Sequence, residues 1–566
     1  MKKLAYILLF SLSALAVACN ENKVITTLPA PEIIVENGGV YSTKQGIAIT
    51  LQPRVESSEE ALFSWYREGV KVGSEPSYTL CEEEAGSYYV MLRVENASGK
   101  DEEEFRVEVL ELRPPKISFL TKNGVIEAVV GVATRIVPQV SAGDEAKYEW
   151  WLNDEPLAGD AACEVTLHAE GDNTLRLAVE NEDGRAERSI TLRGVHHLTG
   201  SVGFPAPAGL GYTSVKYMSR GRSIVLAPTT EAFAEPSFEW RVAGEIISQS
   251  PQLRLAVEKD CEVELTVSDA DGYTLTSTVT IVCCEAEGTF RREADAQSSR
   301  RWSKVYEYMP AAGQFIGEDK SGFSGAEHST ADAAAYAEKR LSEGKFLSLG
   351  GFGGYVVLGF DHSIANKEGA DITIYGNMYA TSSEAGIVWV MQDSNGNGEP
   401  DDEWYELRGS EWGGQNHTTR YAVTYFRAEG EKMPIRWRDN RGSEGEVPYM
   451  AAHRQPSYFP QWVEGDHYTL YGSLLATNTT TLPSGVVSHN AYAWGYADNL
   501  GSDSEGSSTD DNDAVACHLD IANAVTADGL AAELQYIDFV RIQTALNGCD
   551  SSMGELSTEV LGVEER

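Results

Sequence analysis

Apolar and polar residues alternate in short runs along most of the chain, the period-two pattern of half-buried strands, and one arrangement of such runs occurs three times. Phe63-Ser64-Trp65-Tyr66, Tyr148-Glu149-Trp150-Trp151 and Phe238-Glu239-Trp240-Arg241 each set an aromatic ring two residues before a Trp, so both rings face one side of a strand. Val94, Val179 and Val267 follow that Trp by 29, 29 and 27 residues, and each leads into an Asn/Asp-Gly-type turn: Asn96-Ala97-Ser98-Gly99, Asn181-Glu182-Asp183-Gly184 and Asp269-Ala270-Asp271-Gly272. A final alternating strand comes next, such as Glu104-Phe105-Arg106-Val107-Glu108-Val109. Short strands around one core Trp predict an Ig-like β-sandwich, without the Cys pair of antibody domains. The predicted modules are 28–112, 113–195 and 196–284, and they are expected to act as rigid spacers. The third opens with an irregular stretch, Gly200 to Gly221, that the others lack.

From Glu285 onward the strand signals lengthen, and seven of the eleven Trp lie here. Phe346 to Phe360 reads as two strands around the Gly-rich bend Gly350 to Gly354, and Ile372–Asn377, Ile387–Met391, Trp404–Leu407, Tyr421–Tyr425 and Ile537–Ile542 read as further strands. One helix is predicted over Ala331 to Leu341, with Thr330 as N-cap and Gly344 just beyond the end. The Gly-rich bend leads into a Val-rich strand, so it lacks the following helix N-terminus that a phosphate-cradling loop requires. The predicted class is all-β: three tandem Ig-like sandwiches, then one larger β-sandwich over 285–566.

The first residues change the picture of compartment. Met1-Lys2-Lys3 is a short basic region, and Leu4 to Val17 is an apolar run of signal-peptide length, shorter than a membrane-spanning helix. Leu15-Ala16-Val17-Ala18-Cys19 resembles a bacterial lipobox, which predicts a signal peptide over 1–18, lipidation of Cys19 and a polar tether over 19–27. Acyl chains on that Cys would anchor the protein to the outer membrane without a spanning helix. The chain carries 86 acidic against 45 basic residues, a formal charge of −41, which opposes binding to nucleic-acid phosphates. Cys261 with Cys283 or Cys284, and Cys517 with Cys549, are candidate disulfides; free thiols fit the sequence equally well.

The sharpest local chemistry is Asp393-Ser394-Asn395-Gly396-Asn397-Gly398-Glu399-Pro400-Asp401-Asp402-Glu403. Asp393, Asn395 and Asn397 at positions one, three and five, Gly398 at six and Asp401 at nine copy the first part of an EF-type calcium loop, and Glu399 and Asp402 add oxygens. Trp404 stands at position twelve where the bidentate Glu would be, and strands flank the turn, so the expectation is a calcium-stapled hairpin, with a solvated acidic turn as the alternative. A second run, Asp498 to Asp513, reads as a mobile acidic loop, with a second cation site as the alternative. Trp412, Trp437, Tyr458, Trp462, Tyr492 and Trp494 sit in stretches rich in Gly, Asn, His and Arg, and are candidate ligand-stacking residues. No nucleophile or zinc-hydrolase motif is visible, and the adjacent acids Asp401/Asp402 carry no sign of burial, so no catalysis is expected.

Asn96 with Gly99 and Asp271-Gly272 resemble the strand endings of bacterial PKD-type domains. Ser348-Leu349-Gly350-Gly351-Phe352-Gly353-Gly354-Tyr355, Gly359-Phe360-Asp361-His362-Ser363-Ile364, Asp371-Ile372-Thr373-Ile374-Tyr375-Gly376-Asn377, Glu384 to Asp393 and Asp520-Ile521-Ala522-Asn523-Ala524-Val525 extend the likeness over about 300 to 560. On these motifs the chain resembles the PKD-like-domain cell-surface lipoproteins of Bacteroidetes-type bacteria. That resemblance implies a C-terminal jelly roll similar to carbohydrate-binding modules. It also implies a place beside a TonB-dependent transporter, with a glycan or a corrinoid as cargo. The acidic cluster that usually follows the lipidated Cys in such proteins is reduced here to Glu21. An adhesion or structural lipoprotein touching another protein or a host glycan is the alternative.

Overall fold

The computed structural model describes residues 28–141, 145–207, 210–379, 381–483, 485, 487–506, 514–550 and 554–566. The expected signal peptide, Cys19, the tether, and Asp510, Asp511 and Asp513 of the second acidic run lie outside them. Two compact units make up the chain, one ending at Pro114 and one running from Pro115 to Arg566.

The three predicted repeats share one topology. In the first unit a five-stranded sheet runs in the order Val40–Lys44, Gly99–Leu110, Gly86–Asn96, Leu62–Arg67, Val70–Gly73. The order recurs as Val125–Val129, Gly184–Val195, Gly171–Asn181, Lys147–Leu152, Glu155–Leu157, and again as Val215–Arg220, Thr274–Ala286, Cys261–Ser268, Ser237–Val242, Glu245–Ser248. In each sheet the first pair is parallel and the remaining pairs are antiparallel. Trp65, Trp150 and Trp240 are buried in the three cores. Each indole Nε1 donates to the carbonyl ten residues on, Glu75, Asp160 and Ser250, at 2.9, 2.9 and 2.7 Å. A ring this large can be buried whole because its one polar atom finds a partner inside the module.

Beyond the repeats the chain forms a larger β-sandwich. A six-stranded sheet orders Lys304–Met309, Tyr355–Ala365, Tyr536–Thr544, Gly386–Met391, Tyr405–Leu407 and Ala524–Val525. Two four-stranded sheets accompany it, one carrying Ile372–Gly376 and Val515–Leu519, the other His417–Phe426 and His467–Leu475. The Gly-rich bend is a close approach of backbones: a Cβ on Gly350 would stand 2.3 Å from the Ala311 carbonyl oxygen, and Gly350 has φ +71°. The helix spans Thr330–Ser342, and its N-cap is Ser329 rather than Thr330, because Ser329 takes the extended conformation and accepts from the Asp332 N–H.

Within the second unit the third repeat is no detached spacer. Phe204, Met218, Trp240 and Ile281 belong to the same hydrophobic core as Tyr405, Val357 and Ile542 of the large sandwich. Lys216 Nζ pairs with Glu403 at 2.6 Å, and Arg254 forks onto Asp528. The irregular stretch supplies this docking edge, through strands Ser201–Pro205 and Val215–Arg220. The candidate disulfides are not formed: Cys517 Sγ is buried and donates to the Asn499 carbonyl, Cys549 Sγ donates to that of Glu446, and Cys261, Cys283 and Cys284 hold separate thiols.

Candidate functional site

The acidic turn is folded around Asp393. One Asp393 oxygen accepts from Gly396 N at 2.7 Å and the other from Gly398 N at 2.9 Å, and both glycines have φ +76°. Asn395 and Asn397 each close a short turn onto the backbone N–H two residues on, and their amides donate to Asp401. Asp402 accepts from Ser394 N, while its Oδ1 is buried without a partner. The expectation of an acidic turn with no sign of burial is corrected here. Asp393 and Asp402 are 4% and 2% exposed, and burial, then Asp393 and Asp401, pushes the Asp402 carboxyl up to about 8. Two bases reach the turn: Lys216 pairs with Glu403 at 2.6 Å, and Lys304 stands 4.0 Å from the exposed Glu399. Of the six proposed metal ligands, Asn395 and Asn397 are tied to Asp401, Asp393 and Asp402 hold backbone N–H groups of the same turn, and Glu399 is exposed; no three acids of the turn bring their oxygens within 4.8 Å of one another.

The six candidate stacking residues do not meet on one surface. Tyr458, Trp462 and Tyr492 are core residues. Tyr458 stacks on Tyr449 and donates to the Met450 carbonyl; Trp462 packs against Phe323 and Tyr308. Trp437 is half-buried with its ring over Gly445, where a Cβ would meet it at 2.3 Å, and Trp412 lies over Gly529. Trp494 alone stays exposed, at 36%. Gly neighbours that looked like loop composition are the flat backbone on which these rings rest.

A different set of aromatics lines a groove between the third repeat and the large sandwich, about 180 Å³ in volume. Tyr355, Trp389, Trp404, Tyr471, Arg541 and Gln543 form the sandwich side of its lining. The Arg541 guanidinium lies 4.0 Å from the Tyr355 ring centre and 5.3 Å from that of Trp404. Arg541 Nε and Trp389 Nε1 are buried and have no partner. Gln543 is locked, donating to the Gly353 and Tyr471 carbonyls. Trp404 donates to the Pro207 carbonyl at 3.0 Å and directly follows the acidic turn.

A second cavity, about 230 Å³, is lined by Glu384, Asp498, Glu555 and Glu559, with Tyr308 and Arg340 among its other walls. Oxygens of Glu384, Asp498 and Glu559 lie within 4.8 Å of one another, the one such acidic group among the described residues. Asp498 is fixed by backbone donors, Asn377 N at 3.2 Å and Glu559 N at 3.0 Å. Burial is the largest influence on all four: Glu384 and Asp498 are held well above the ordinary carboxyl range, Glu559 rises to about 7 and Glu555 to about 8. Asp498, read from sequence as the start of a mobile loop, is 1% exposed. Asp498 was singled out from the sequence only as part of the acidic run and Glu384 only within a family-like motif; Glu555 and Glu559 were not, since the four come from three distant stretches and carry no common spacing.

Residues 30–96 match the family model of the PKD-like domain. Among solved structures, the chain is similar to Sidekick-1 immunoglobulin domains 1–5 (13% identity, TM-score 0.24, 46% of this chain and 60% of that one). It is also similar to the titin I-band fragment I67–I69 (14%, TM-score 0.23, 45% and 99%) and to fibronectin(III)-like modules of Clostridium thermocellum CbhA (16%, TM-score 0.16, 30% and 95%). No curated protein matches the chain. PKD-like and Ig-like modules are typical of extracellular and surface proteins, and no helix among the described residues is long and apolar enough to cross a membrane.

Proposed function

We propose that the chain is a non-catalytic surface protein, lipid-anchored through Cys19, that captures a glycan in the groove between its third repeat and its C-terminal sandwich and passes it to a TonB-dependent transporter. The observation that carries this reading is the Tyr355–Arg541–Trp404 stack, beside two buried donors with no partner, Arg541 Nε and Trp389 Nε1. Flat rings next to unspent donors suit a sugar, which offers an apolar ring face and hydroxyl oxygens together. The small volume favours single sugar rings over a corrin macrocycle, the other cargo implied by the resemblance.

Calcium in the acidic turn fits the same reading. Asp393, Asn395, Asn397, Asp401 and Asp402 are all oxygen donors, and Asp402 Oδ1 has no protein partner. When bound, a hard cation would neutralise the buried acids and stiffen the segment that delivers Trp404 to the groove.

The test is calorimetric titration of the full chain with a panel of oligosaccharides and with cobalamin. Trp389→Ala and Trp404→Ala should each weaken glycan binding at least tenfold, about 1.4 kcal/mol, while Trp494→Ala leaves it unchanged. A wild-type chain that binds no glycan, or binds it equally well in all three variants, overturns the groove reading.

A further inference from the structure

We propose that the acidic cavity is a divalent-cation site, with Glu384, Asp498 and Glu559 as ligands and Glu555 as a fourth carboxylate beside them. It is separate from the acidic turn and from the groove, and it rests on neither.

Three observations combine. The oxygens of the three acids fall within 4.8 Å of one another, which is the span across a calcium ion whose ligands stand at about 2.4 Å. Glu555 lines the same cavity, is 3% exposed, and keeps one oxygen, Oε2, buried with no partner, while its other oxygen accepts from Gln314 N at 2.8 Å. A buried polar atom without a partner is rare in native proteins and points to a group that fills the space. Finally, among the described residues none of the four carboxylates is in an ion pair; Arg340, the cavity's cation, donates instead to the carbonyls of Phe346 and Ser321.

The surroundings favour a metal ion over protons alone. Asp498 accepts backbone N–H groups on both oxygens, an arrangement that suits the ionised form. Ser348 and Ser557, joined hydroxyl to hydroxyl at 2.7 Å, also line the cavity and offer neutral oxygens beside Glu559. Hard cations take six to eight oxygens, and the cavity volume leaves room for water to supply those the protein does not. The elements joined there are the entry to strand Gly386–Met391, the loop before Val515–Leu519 and the C-terminal segment through Glu559–Val560, so a cation would tie three distant parts of the sandwich together.

Calcium ions titrated into the chelator-treated full chain test the proposal. The doubly substituted Glu384→Gln/Glu559→Gln chain should lose one equivalent of calcium bound with a Kd of about 10⁻⁴ M or tighter. The Asp393→Asn/Asp402→Asn chain, altered only in the turn, should keep that equivalent. Equal stoichiometry in the wild type and the cavity variant overturns the site, and so does a folded turn variant that binds no calcium. The turn variant decides the matter even where the cavity variant fails to fold. Loss of an equivalent in the turn variant reports on the turn alone, so the two sites fail separately.

Discussion

The repeats and the C-terminal sandwich both bury polar groups, and they treat them in opposite ways. Each repeat buries one indole N–H and satisfies it with a carbonyl ten residues along the same module. The sandwich buries acids drawn from distant stretches and leaves Asp402 Oδ1 and Glu555 Oε2 without protein partners. A satisfied buried group serves packing. An unsatisfied one is costly unless a ligand completes it, and so it marks where binding is to be sought.

The largest expected effect tests the first half of this contrast. Trp150→Ala removes a ring that is 1% exposed and strands the Asp160 carbonyl, so it should destabilise the second unit by about 3–5 kcal/mol in urea unfolding. Trp437→Ala, half-buried over Gly445, should cost clearly less. Similar losses from the two would mean that the repeats owe no special stability to their buried Trp.

The second half of the contrast predicts a dependence on pH. In the chain stripped of cations, Asp402 and Glu555 titrate near 8 when folded and near ordinary carboxyl values when unfolded. The folded state then holds more protons between those values. Their contribution is fully present below the unfolded pKa, falls as pH rises, and is lost once pH passes about 8. The charged groups that face them do not reverse the sign: Asp393, Asp401 and Asp538 act on Asp402, and Glu384 and Glu559 lie beside Glu555. Thermal melting in EDTA should therefore give a higher Tm at pH 5.5 than at pH 8.5, on the order of several kcal/mol in stability for the two acids together, and calcium should restore Tm at pH 8.5. A Tm that rises with pH in EDTA would place these acids with ordinary surface carboxylates and end the contrast.

What the sequence made readable follows the same division. The Trp spacing and the turns after Val94, Val179 and Val267 gave the repeats, because strand period and turn chemistry are local. The acidic turn was readable as an oxygen-rich loop, but not as a buried one, since its burial comes from the Asp538 strand and the packed sandwich around it. The groove and the acidic cavity were not readable. Trp389 and Tyr355 look like any strand aromatic until the third repeat is docked opposite them, and Glu384, Asp498, Glu555 and Glu559 meet only after the sheets are assembled. Composition misled at Trp437 and Trp412, where Gly marks a packing surface for a ring and no loop.

The smallest effect concerns the helix that carries Tyr336 and Arg340 to the cavity wall. Thr330 is followed by the Ala-rich run and looks like the cap, yet the structure gives that role to Ser329. The Ser329 hydroxyl accepts from Asp332 N at 3.1 Å and donates to the Asp332 carboxylate at 2.8 Å, and the same carboxylate accepts from His328 N at 3.2 Å. Two N–H groups near the helix start are thereby satisfied by one pair of side chains, much as in a capping box. Ser329→Ala should cost about 1 kcal/mol in urea unfolding, and Thr330→Ala only a few tenths. Because Arg340 bonds the Phe346 and Ser321 carbonyls, fraying of the first turn should leave the cavity wall in place. Ser329→Ala is therefore expected to lower stability without changing the number of calcium ions bound, which separates the helix as a prop from the carboxylates as ligands.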